Sequence, residues 1–118
     1  MPLEFGNQSK SYLSNLVRQG LNSFKAFSYQ KLTVDGTVRN LTIPTDAKYA
    51  LMFYESSVAS GTVSARYLET KQTTVSSTDG LGIDNGFKFD VTDAQNLSQF
   101  QIIQTTAGTH TLHIQYYK

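Results

Sequence analysis

Cysteine and tryptophan are both missing from this 118-residue chain, and charge is scarce at 16%. Without cysteine there is no disulfide framework, no cysteine-ligated zinc and no thiol catalysis, and the redox compartment stays open. The three arginines, Arg18, Arg39 and Arg66, form no basic run, and the formal net charge is +1. So weak a field gives little attraction to a phosphate backbone, so nucleic acid is not expected as a direct partner. No apolar stretch approaches the ~18 residues that would span a bilayer, and the N-terminus lacks the charged-then-apolar order of a signal peptide. No membrane partner is expected.

Known motifs are equally scarce. A Gly-x-Ser-x-Gly elbow, which would position a serine nucleophile, does not occur. Gly80-Leu-Gly82 lacks the spacing and lysine of a nucleotide loop. Asp79, Asp84, Asn85 and Asp90 have the composition of a calcium loop but not its alternating ligands or terminal glutamate, and read better as hairpin turns. Glu55 and Glu69 stand at strand ends where a glycosidase pair could lie, with nothing to fix their separation. His110 and His113 are three apart; on a strand they point to opposite faces, which makes a metal pair impossible without a bend and leaves surface or edge histidines. The expectation is a protein with no catalytic residues, no metal and no cofactor.

What is present is strand chemistry. A length of 118 residues suits one domain with its own core. Residues 1–22 differ from the rest: Tyr12, Leu13, Leu16 and Val17 fall on one side at helical spacing, with Ser9 or Ser11 as a cap and Gly20 as a stop. This predicts a short helix or arm, too short to be stable alone, that must dock on the domain or on a neighbour. Residues 23–118 read as the β domain. Phe24–Val34 is rich in strand formers and ends at the turn Asp35-Gly36; Leu41 and Ile43 share a face before Pro44 stops the ladder. Ala47–Glu55 is nearly all apolar, as in a central strand buried on both faces. Val63, Ala65 and Tyr67 alternate, as do Phe87, Phe89 and Val91 and, at the end, Leu112, Ile114 and Tyr116. Leu97 and Phe100 cover an open end of the core from a single helical or 3₁₀ turn over Asp93–Phe100. Residues 70–86 form a long polar connection, best suited to a contact-making loop with an edge strand at 73–77. Seven or eight short strands with no room for a βαβ crossover predict an all-β fold, an antiparallel β-sandwich of jelly-roll or flattened-barrel type with the short N-terminal helix or arm.

The aromatic residues carry most of the large apolar groups. In the adjacent pairs Phe53-Tyr54 and Tyr116-Tyr117 one ring must leave the sandwich core, to pack on the arm, a loop or another subunit. Sugar stacking is a weaker reading, since carbohydrate platforms commonly use tryptophan.

The run Leu32-Thr-Val-Asp-Gly-Thr-Val-Arg-Asn-Leu-Thr-Ile-Pro44, followed by Ala47-Lys-Tyr-Ala-Leu-Met-Phe-Tyr-Glu55 and Val63-Ser-Ala-Arg-Tyr67, resembles small structural proteins of tailed-bacteriophage virions. Phe100-Gln-Ile-Ile103 and Thr111-Leu-His-Ile-Gln-Tyr-Tyr117 agree with it. The likeness covers about residues 30–117 and leaves out the arm. Where similar proteins continue Arg-Tyr with an Asp-Gly and Pro-Thr segment, this chain has Leu68-Glu-Thr-Lys-Gln-Thr-Thr74, so contacts of that segment do not carry over. The resemblance implies a non-enzymatic virion component, made in the bacterial host cytoplasm, whose partners are capsid, neck or tail proteins and further copies of itself. On the residues themselves, Tyr12, Leu13, Leu16 and Val17 would dock the arm, while Arg66, Glu69, Tyr117 and the 70–86 loop would face a partner. Two rival classes stay open: a host-surface or glycan-binding module, which a concave aromatic patch with converging Asp, Asn and Gln side chains would favour, and an accessory domain of a specialised enzyme.

Overall fold

The computed structural model describes residues 24–118. The expected arm helix, with Tyr12, Leu13, Leu16 and Val17, lies outside the described residues. Residues 24–118 are all-β apart from one turn of helix. The elements are β1 (Ala26–Val34), β2 (Tyr49–Ser56), β3 (Ala65–Leu68), β4 (Leu81–Ile83), β5 (Lys88–Thr92), α1 (Ala94–Ser98), β6 (Gln101–Gln104) and β7 (His110–Tyr117).

Two antiparallel sheets result. One has the order β1-β7-β2-β5 and the other β4-β3-β6. After β1 the chain crosses from the first sheet to the second, and Arg39 forms a bridge with Ile102 on the free side of β6, with N–O distances of 2.9 and 3.0 Å. The turn at the crossing is held by Asp35, which accepts from the Thr37 amide and pairs with the Arg39 guanidinium. That guanidinium holds the Asp35 carboxyl below its ordinary range. The pairs are nested. β3 with β4 is innermost, then β2 with β5, then Arg39 with β6, and β1 with β7 is outermost.

The core lies between the sheets because each strand alternates. Met52, Tyr54, Leu112, Ile114 and Tyr116 from the larger sheet face Ala65, Ile83 and Ile102 from the smaller one. Tyr67 stacks on Phe89 and Phe100 with ring centres 4.6 and 5.6 Å apart. Leu97 and Phe100 close one end as expected; Asp93 caps α1 by accepting from the Gln95 amide at 2.8 Å. At the other end His110 is 1% exposed. Its Nε2–H donates to the Thr106 carbonyl, and its Nδ1 accepts from the Ser56 hydroxyl, with the Tyr54 hydroxyl between that nitrogen and Ser64 Oγ. The expectation of two surface or edge histidines therefore fails for His110, whose ring polarity is met inside the core.

Three local expectations also change. β2 is a central strand, but only Tyr49, Ala50, Met52 and Tyr54 along it are buried; Leu51 and Phe53 stay half-exposed because the outer face of its sheet carries no second layer among the described residues. The segment 40–44 is not a strand, although Leu41 and Ile43 still pack on the core from one side. The edge strand expected at 73–77 is instead β4 at 81–83, where Gly82 leaves room for Val63, whose methyl groups would stand 3.0 and 3.1 Å from a Cβ there.

Candidate functional site

The outer faces of the two sheets are built differently. On the three-stranded sheet, residues 70–80 fold back over the outer face. Gln101, 4% exposed, donates from its amide nitrogen to the Thr70 and Thr73 carbonyls, both at 2.6 Å, and accepts from the Val75 amide. Arg66 donates to the Ser77 and Gly80 carbonyls. Val75 is buried at 1% beneath the loop. Gly80, at φ +135°, closes the wrap so tightly that an added Cβ would lie 2.8 Å from Val75 Cγ2 and 3.2 Å from the Tyr67 carbonyl. Arg66, expected to face a partner, is half-buried and directs its Nε and Nη1 donors to these loop carbonyls.

Among the described residues nothing covers the outer face of the four-stranded sheet. Register places Lys31, His113, Phe53 and Lys88 in one cross-strand row and Tyr29, Gln115, Leu51 and Asp90 in the next. Thr111 and Glu55 lie beyond the first row; Tyr117 and Tyr49 lie beyond the second, packed edge to face at 5.7 Å. The ring of His113 stands between those of Tyr29 and Phe53, at centre distances of 6.0 and 6.1 Å and interplanar angles of 23° and 29°. The Tyr29 hydroxyl donates to His113 Nδ1, and His113 Nε2–H donates to Glu55 Oε1, each at 2.5 Å. That pairing fixes the tautomer. Lys88 Nζ lies 5.6 Å from the centre of the Phe53 ring. The result is a row of rings held in place across three strands, with Tyr29 60% exposed.

Burial and charge at the row's margin shift nearby groups. Tyr49 donates to Asp90 Oδ2 at 2.9 Å, and burial with that carboxylate's charge raises its hydroxyl well above the ordinary tyrosine range. Glu69, another expected contact residue, is half-buried; burial first and the charge of Asp90 second raise its carboxyl. Glu55 stands on β2 of the larger sheet, already paired with His113, and Glu69 just past the end of β3 of the smaller one. Asp84 accepts from the Gly61 amide and Asp79 lies near Ser76, both as turn residues. Among the described residues no group of three or more His, Asp or Glu side chains is placed to hold a metal ion.

Of the sites expected from sequence, Tyr117 lies on the open face, Arg66 under the loop and Glu69 at the end of β3. Tyr29, Phe53 and His113, the ring row of the open face, are not among them. The signal was present: Phe53 and His113 fall on the faces opposite Tyr54 and Leu112, but only the cross-strand register joins three residues 24 to 84 positions apart. Comparison with known proteins found no matching family model, no matching curated protein and no matching solved structure.

Proposed function

We propose that the protein is a non-enzymatic structural component of a tailed-phage virion, which assembles with itself or with capsid, neck or tail proteins through its N-terminal arm and the surface of its β domain. The strand order carries this reading. Counting the Arg39 segment as an eighth strand makes the sheets 1-8-3-6 and 5-4-7-2, the order produced when a long antiparallel ribbon wraps on itself. We read that order as a jelly roll, an architecture that recurs in viral capsid and lectin domains. Fold alone does not select a function. The resemblance of residues 30–117 to phage virion proteins weights the choice toward the capsid-like use. Under this reading the protein is made in the bacterial cytoplasm, resides in the virion, and needs no cofactor, nucleic acid or membrane.

An assembly subunit gains from a detachable element at one end, because repetition in a ring or lattice turns modest contacts into avidity. Residues 1–22 supply that element, through Tyr12, Leu13, Leu16 and Val17. Light scattering on the whole chain and on a chain lacking residues 1–22 tests it. The expected outcome is an oligomer that falls to the monomer mass on truncation. Monomers from both chains would remove self-assembly through the arm.

A further inference from the structure

The open face of the four-stranded sheet has features that a bare sheet surface does not need. Two hydrogen bonds fix Tyr29 to His113 and His113 to Glu55, and three rings stand side by side at spacings of 6.0 and 6.1 Å. Fixed rings on the surface lose little freedom when a flat ligand covers them. Around them the polar groups alternate in kind: Lys31 and Lys88 donate, Gln115 does both, and Glu55 and Asp90 accept.

Charge and size narrow the ligand. Two lysines and two carboxylates on these rows cancel, so the face draws neither a polyanion nor a polycation, and a phosphate backbone gains nothing there. Strands of nine, eight, eight and five residues, at ~3.3 Å per residue and ~4.8 Å apart, give the sheet a face of roughly 450–500 Å² in projection, under the ~800 Å² per partner of a standard protein interface. A short chain of sugar rings fits that area. Its C–H faces suit aromatic rings, and its hydroxyls both donate and accept, as the rim does.

We propose that the Tyr29, His113 and Phe53 rings form a stacking platform for a neutral oligosaccharide. Lys31, Gln115 and Lys88 donate to its hydroxyls, and Asp90 and the second carboxylate oxygen of Glu55 accept from them. The platform has no tryptophan, so a single copy binds weakly, with Kd of about 1 mM, and an assembled array binds through multiplicity. This inference does not depend on the assembly reading, since a monomer carries the whole face.

Amide chemical-shift mapping on the full chain tests it, with cellohexaose, maltohexaose and chitohexaose as neutral probes. Hexagalacturonate and an oligothymidylate serve as charged probes. The expected result is that at least one neutral hexasaccharide moves signals of β1, β2 and β7 around Tyr29, Phe53 and His113. Tyr29→Ala and Phe53→Ala should each weaken it roughly tenfold with the remaining spectrum intact, whereas Lys71→Ala, on the loop across the other sheet, should not. Any of four results would overturn the proposal: no neutral probe moves those signals, the two aromatic variants bind as well as the parent, a charged probe binds in preference, or the same signals move on dilution without sugar, which would make the face a self-association surface.

Discussion

The same kind of sheet surface meets two fates in this molecule. Over the three-stranded sheet the chain lays its own loop, fastened by Gln101 and Arg66 and sealed around Val75. Over the four-stranded sheet nothing among the described residues does the same, and the surface is finished with rings and balanced charge instead. The contrast teaches that a polar loop is not by its polarity a contact surface. The 70–86 segment reads as the obvious partner-facing region, yet its first part serves as the outer layer of its own sheet. Substitutions on the covered side should therefore cost stability, and those on the open side should not.

Gln101→Leu gives the largest expected effect on that contrast. It removes three hydrogen bonds from a buried amide and leaves loop carbonyls unpaired, so urea unfolding should show a loss of about 3 kcal/mol. Hydrogen exchange should speed up across 70–80 first. Gly80→Ala comes next, at about 2 kcal/mol, because a Cβ must displace Val75 or backbone at a φ that side chains resist. A loss below about 0.5 kcal/mol for either variant would mean the loop is only draped over the sheet.

High pH probes the layer between the two faces. Burial pushes Tyr116 up to about 12 and also raises Tyr54 and Tyr67. In the unfolded chain tyrosine ionises near pH 10, so the folded form holds the proton more tightly. Stability is then unaffected below about pH 10 and falls between about 10 and 12, by about 1.4 kcal/mol per pH unit for Tyr116, with Tyr54 and Tyr67 acting in the same direction. Phenolate absorbance and loss of the fold should rise together in an alkaline titration. Phenolate signal from these tyrosines ahead of unfolding would break the argument. The smallest effect belongs to the open face: Tyr29→Ala should change the unfolding free energy by about 0.5 kcal/mol or less, since the ring is 60% exposed. A larger loss would make the ring row a structural brace.

How much of this could be read in the residues depends on the range of each interaction. Alternation placed β7 and β5, and Leu97 with Phe100 marked the closing turn, because those signals lie within a few positions of one another. β4 was hidden: Leu81-Gly-Ile83 looks like turn material, and it becomes a strand only because β3 offers it a free edge. His110 reads as a surface residue since nothing local foretells that Ser56, Tyr54 and Thr106 will meet its ring. The ring row failed to show for the same reason. Leu51 and Phe53 read as doubly buried because an apolar run says how much surface a strand could bury and not whether a second layer exists to bury it.

The nested pairing also sets a timetable. A ribbon that closes from its middle needs only short loops at each step, as each inner pair brings the next two strands together. Folding is then expected to start around 65–83 and run outward like a zip, with β1 and β7 the last teeth to engage and the first to part; slower amide exchange at Tyr67 than at Lys31 would record that order. Residues 1–23 join the chain at the last strand to engage, so any partner that grips them pulls on the zip's open end.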